Sequence, residues 1–327
     1  MIDVETPYGP EWWLRRLTKK LDDRNHGAGW SRDRAVNPPD ARPPLSLLWD
    51  YYRGETPLPR CADGWNGRLQ SILRKTRTNY SRLVVQSVLN RVHPLGWRTA
   101  VENDRDGDGV AHRIAAVNGL DTVIPEALEY AFTMGDGYLM LGWPRGGSDI
   151  PTLAAEDPRQ TITATDAATG ETLAALKQYR DEWTGDLVSH VLLPGKVWVS
   201  RRSWMDKLPG RIVWDEKASG AAPTAGVPVY RIRNTGGVAE IEPHLDLIDR
   251  INEQTLDRMS IAKVQAFRQR AIRGLPDVYP ADHPRAGEKI EYPEDAFLAD
   301  PGALWRLPEA AEIWESYPID LGPIRMA

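Results

Sequence analysis

The chain has 327 residues, with 41 Lys and Arg against 46 Asp and Glu, a net charge of −5 and 41% hydrophobic side chains. That composition excludes a disordered polymer and also a protein that wraps DNA electrostatically, because nonspecific affinity comes from basic residues that displace phosphate counterions. One cysteine, Cys61, excludes an internal disulfide and any multi-cysteine metal site, and fits a reducing compartment.

The N-terminus, "MIDVETPYGPEWW", carries two early acids and no basic region before an apolar core, so no signal peptide is expected. Residues 10 to 24 predict an amphipathic helix, with Trp13, Leu17 and Leu21 at four-residue spacing and Arg15, Arg16, Lys19 and Lys20 around them. Trp12 and Trp13 are expected to be packing anchors. A Gly/Pro-rich connection follows, then "LSLLWDYYRGETPLP", a helix that Gly54 and Pro57 close, and "NYSRLVVQSVLNRVHPLGW", a helix to Arg91 ended by Pro94. "IPEALEYAFTMG" predicts a further helix with Pro125 near its first turn. "GYLMLGW" then predicts a strand. The least polar stretch, "YAFTMGDGYLMLGW", holds Asp136 and three glycines and is too short to span a bilayer.

From Gln160 to Arg233 the runs "QTITAT", "LAALKQYR", "LVSHVLL", "KVWVSRR", "RIVWD" and "VPVYRIR" alternate with turn residues. Such spacing predicts antiparallel meanders, and the class is α+β. Pro243 then opens a long helical pattern that Gly274 closes, roughly 31 residues or about 46 Å at 1.5 Å per residue. Globular helices average about 11 to 12 residues, so this one has an architectural look.

Motifs that carry chemistry are thin. "DRDGDGVAHRIA" places Asp104, Asp106, Asp108 and Gly109 as in an EF-hand, but Ala115 stands where the bidentate glutamate belongs, so an exposed acidic turn is expected. "PGKVW" has Gly195 and Lys196, but Val197 replaces the magnesium-binding hydroxyl of a phosphate loop. Gly146 and Ser148 are followed by Ile150, which breaks a nucleophile elbow. The six histidines show no zinc spacing. Asp181 with Glu182, and Asp215 with Glu216, are expected as solvated carboxylates beside turns. Neither cofactor nor catalytic machinery is expected.

The order of segments resembles the portal proteins of tailed bacteriophages, in the branch common in phages and prophages of actinobacteria. The resemblance is carried by "WDYYRGETPLP", "TNYSRLVVQSVLNRVHPLGW", "EALEYAFTMGDGYLMLGW", "GVPVYRIRN", the helix ending "VQAFRQRAIRG", and "GALWRLPE", spread over about 48 to 325. It implies a portal-like α+β fold: a wing over 1–241, a first stem helix over 242–274, a small α+β clip over 275–318 and the start of a second stem helix over 319–327. Portals of this branch continue through that second helix to a crown. By resemblance, a ring of twelve subunits forms at one capsid vertex of the virion, assembled in the host cytoplasm, with double-stranded DNA passing through its channel. Terminase, head-tail adaptor, capsid and scaffold proteins are the implied partners, and no membrane is involved.

On the long helix, Ile248, Ile251, Thr255, Met259, Ala262 and Ala266 follow three- and four-residue steps and are candidates for a subunit seam. Acids (Asp246, Asp249, Glu253, Asp257) precede bases (Lys263, Arg268, Arg270, Arg273), as the helix macrodipole favours. Those four bases are candidates for the channel wall or for pairing between subunits. A rival expectation is a hydrolase or carbohydrate-binding protein that uses its thirteen tryptophans and its carboxylates as a cleft.

Overall fold

The computed structural model describes residues 7–32, 37–38, 41–58, 73, 75–96, 108–203, 212–266, 270–292 and 312–315. Cys61, Asp104, Asp106, Arg268 and "GALWRLPE" lie outside these. Two compact units divide the chain, one formed by residues 1–57 with 78–248 and the other by 58–77 with 249–327.

In the first unit, α1 (Pro10–His26) starts at a proline, whose missing N–H costs nothing there, and ends where Gly27 turns left-handed at φ 66°. α2 (Leu45–Arg53) ends the same way at Gly54. α3 (Tyr80–Leu89) is capped by the Asn79 side chain, and α4 (Gly109–Asn118) by Asp108, which accepts from the Val110 and Ala111 N–H groups. Asp108, the last acid of "DRDGD", is thus a helix-capping residue. α5 (Leu120–Met134) begins four residues earlier than "IPEALEYAFTMG" predicts, with Pro125 inside it. Gly119, left-handed at φ 60°, separates it from α4, and buried Leu120 anchors its start.

The strands are β1 (Asp136–Gly142), β2 (Thr152–Glu156), β3 (Thr161–Thr165), β4 (Thr172–Arg180), β5 (Leu187–Leu193), β6 (Lys196–Arg202), β7 (Gly220–Ala221) and β8 (Val229–Arg233). They form a three-stranded sheet ordered β2-β1-β8 and a five-stranded meander β3-β4-β5-β6-β7, antiparallel throughout. The α+β class with antiparallel sheets is therefore as the sequence indicates. "RIVWD" supplies only an isolated bridge from Trp214 to Ser200 among the described residues, while β2 had no sequence signal.

Packing follows from the apolar faces. Trp13, Leu14, Leu17 and Leu21 of α1 lie on Ile162, Ala174, Leu176 and Val191 of the meander. Burying each of the larger aliphatic side chains contributes about 1.5–3 kcal/mol. α2, α3 and α5 enclose a second core that includes Leu48, Tyr51, Val85 and Met134. Tyr138, Ala175, Leu192, Val227 and Val229 form a third cluster, drawn from both sheets. α5 comes close to β1 because Gly137 has no side chain; a Cβ there would sit 2.0 Å from the Ala127 carbonyl oxygen.

The second unit holds most of α6 (Leu245–Ala266) and a two-stranded sheet of β9 (Arg270–Arg273) and β10 (Glu312–Glu315). Leu73, Leu256 and Met259 form its apolar cluster. Within 277–290, Val278 bridges to Lys289, and the Tyr279 ring stacks on His283 at 4.3 Å.

Candidate functional site

The long helix is shorter than its sequence pattern. α6 has 22 residues, about 33 Å at 1.5 Å per residue, and begins after a separate 3-10 turn at Glu242–His244. Arg270 and Arg273 are not helical: they belong to β9, which pairs antiparallel with β10 so that Arg273 stands opposite Glu312. The segment "QRAIRG" reads as helix because its residues have good helix propensity, but pairing with a strand about 40 residues away overrides that weak preference. Of the four basic candidates, Lys263 lies on α6, Arg270 and Arg273 lie on β9, and Arg268 is outside the described residues.

The seam candidates are divided among environments. Ile248 is buried with Leu245 in the first unit's core. Ile251 and Thr255 are half-buried, and the Thr255 hydroxyl donates to the Ile251 carbonyl at 2.8 Å. Met259 packs on Leu73 and Leu256. Ala262 is exposed, and Ala266 is the last helical residue. Within the chain the buried stripe is Leu245, Ile248, Asn252 and Leu256, with Asn252 only 1% exposed. That stripe lies one residue round from Ile251 and Thr255, which the sequence placed at the centre of the seam.

No family model matches the chain, and no curated protein matches it. Among the described residues, no helix is long and apolar enough to cross a membrane, and no group of three metal-ligating side chains occurs.

Several of the aromatic and acidic residues weighed for a binding cleft pack or cap locally, while Trp143 and Trp183 are exposed. Trp13 is in the core, Trp198 packs edge-on to Trp214 at 5.6 Å, and the Arg159 guanidinium covers Trp49 at 4.7 Å. Asp181 accepts from the Trp183 and Thr184 N–H groups, and these bonds hold its carboxyl below the usual range. Asp215 accepts likewise from Lys217 and Ala218, and Arg201 lies 3.9 Å from Asp181 and 3.4 Å from Asp215.

A charged cavity in the first unit went unread in the sequence. It has a volume of about 360 Å³ and gathers side chains from α1, β1, β3 and β8. In its wall Arg231 donates two 2.8 Å hydrogen bonds to Asp136. Burial alone would lower the Arg231 pKa, but the hydrogen bond and charge of Asp136 hold it above its ordinary value. Arg42 forms a two-pronged pair with Glu242. Burial, and then the charge of Asp136, push the Tyr138 phenol upward. Only folding brings these residues together, since Lys20 and Arg231 are more than 200 positions apart.

Proposed function

We propose that the chain is a subunit of a tailed-phage portal, the ring at one capsid vertex through which the genome is packaged and ejected. The observation that carries the reading is the path after α6. The chain leaves the helix into β9 and comes back in β10, so Glu315 lies beside Arg270, four residues past the helix end. Antiparallel pairing of β9 with β10 brings together the two ends of the segment 274–311. A stem–clip–stem path requires that geometry, and the α+β unit that precedes α6 corresponds to the wing.

In this reading the ring holds twelve copies around double-stranded DNA. It docks terminase and the head-tail adaptor and contacts capsid and scaffold proteins. The chain breaks no bond itself, and ATP hydrolysis during packaging belongs to terminase. A net charge of −5 suits a wall past which DNA slides without being held.

The test is particle shape. Mass photometry and electron microscopy of the natural gene product are expected to give rings with a central channel, and closed monomers alone would overturn the reading. Ala262→Glu sharpens it. Ala262 is exposed in the subunit, so the charge leaves the subunit's melting unchanged, whereas a carboxylate buried unpaired against a neighbour is strongly unfavourable. Ring yield is expected to fall at least about tenfold, a cost of about 1.4 kcal/mol or more.

A further inference from the structure

The cavity between α1 and the strands has an unbalanced charge. Lys20, Arg24, Arg42, Arg231 and Arg233 line it, against the carboxylates of Asp23 and Asp136, with Glu242 held on Arg42. Five cations meet three anions, so two positive charges remain. Asp136 and Glu242 are each engaged by a two-pronged arginine.

Lys20, Arg24 and Arg233 are the cations left over. Among the described residues none of the three forms an ion pair, and Lys20 and Arg24 stand one turn apart on α1. The Lys20 ammonium donates to the Thr163 carbonyl at 3.0 Å; Arg24 donates to the Pro43 carbonyl at 2.9 Å and the Met134 carbonyl at 3.3 Å. Carbonyl oxygens orient these groups without neutralising them. Arg24 has five N–H groups, and these two bonds leave several free.

Thr163 on the floor is 2% exposed, its carbonyl holds the Lys20 ammonium and its hydroxyl lies beside the Tyr138 phenol. The mouth is formed by exposed Lys20, Asp23, Ala28 and Arg233, while Tyr138, Ile162 and Thr163 below are buried.

We propose that this cavity binds a dianionic phosphate group, as inorganic phosphate or the phosphoryl end of a small phosphomonoester, between Lys20 and Arg24. Two unneutralised cations match a dianion better than a single carboxylate, and guanidinium and ammonium groups make their strongest hydrogen bonds to phosphate oxygens. The volume is near the lower end of the range for small-molecule pockets, about 300–1,000 Å³, so the ligand is compact. Burial, and next the Arg231 charge, push the Lys20 ammonium below its ordinary range, with Asp136 opposing. Burial and then Arg42 lower Arg24. A bound dianion reverses both trends, so binding is accompanied by proton uptake wherever Lys20 is partly neutral.

The experiment is calorimetric titration and thermal melting of the full chain with inorganic phosphate, ribose 5-phosphate and, separately, a short DNA duplex. Saturable binding of either small probe, with a Kd of about 1 mM or tighter, is expected. The tighter of the two identifies the natural source. Lys20→Gln, which gives up one bond to a carbonyl at the mouth, weakens binding at least about tenfold. Arg113→Gln, at an exposed pair with Asp149, leaves binding unchanged. The inference is overturned if neither small probe saturates by about 20 mM, if only the DNA duplex binds, or if Lys20→Gln binds phosphate as the parent does.

Discussion

Gly137→Ala tests the closest approach in the first unit. The new Cβ would meet the Ala127 carbonyl oxygen at 2.0 Å, the Ala127 carbonyl carbon at 3.0 Å and the Ala131 nitrogen at 3.2 Å, all backbone atoms of α5. No rotamer change relieves a backbone contact, so α5 must lift from β1 by more than about 1 Å, loosening the close fit that interiors normally keep. Ala127 and Ala131, 0% and 1% exposed, are on the face of α5 that presses on the sheet. Overpacking typically costs about 1–3 kcal/mol, and this contact belongs at the top of that range. For a domain of 150–250 residues, each kcal/mol lowers Tm by about 2–4 °C, so a fall of about 6–12 °C is expected. The assay is a thermal melt followed by circular dichroism. Gly109→Ala is the control: a Cβ there meets nothing within 4 Å, and alanine in a helix is favoured over glycine by up to about 1 kcal/mol. A Gly137→Ala melt within about 1 °C of the parent would refute the tight α5–β1 packing.

Three further outcomes follow from named groups. His190 is pushed down to about 4, first by burial and then by Lys177 and Arg201, whereas the unfolded histidine titrates near 6.5. Unfolding therefore takes up a proton between those pH values, so stability falls as pH drops through the window, by at most about 3 kcal/mol, and His190→Gln should flatten that part of the Tm–pH curve. Asp136→Asn leaves Arg231 without its carboxylate; a Tm decrease is expected from a loss of about 1–3 kcal/mol, together with tighter phosphate binding in calorimetry because the cavity gains positive charge. Asp108→Ala removes the side chain that caps α4 and should cost about 1 kcal/mol in urea unfolding.

The sequence by itself determined the features set by local physics. The start of α1 at Pro10, the stop of α2 at Gly54, and most of the strands between "GYLMLGW" and "VPVYRIR" follow from φ preferences, side-chain periodicity and turn residues, and with them the antiparallel α+β class. Tertiary structure decided where the long helix stops, because "QRAIRG" has helical propensity yet forms β9 on a partner strand far along the chain. It also decided which residues of α6 are covered within the chain: Leu245, Ile248, Asn252 and Leu256 are buried and Met259 packs on Leu256, while Ala262 is exposed. The cavity was illegible for a stronger reason. Lys20 and Arg24 look like the solvated face of an amphipathic helix, and Thr163 looks like any strand threonine. Only the packing of α1 against β1, β3 and β8 gathers these residues around one cavity with an excess of positive charge.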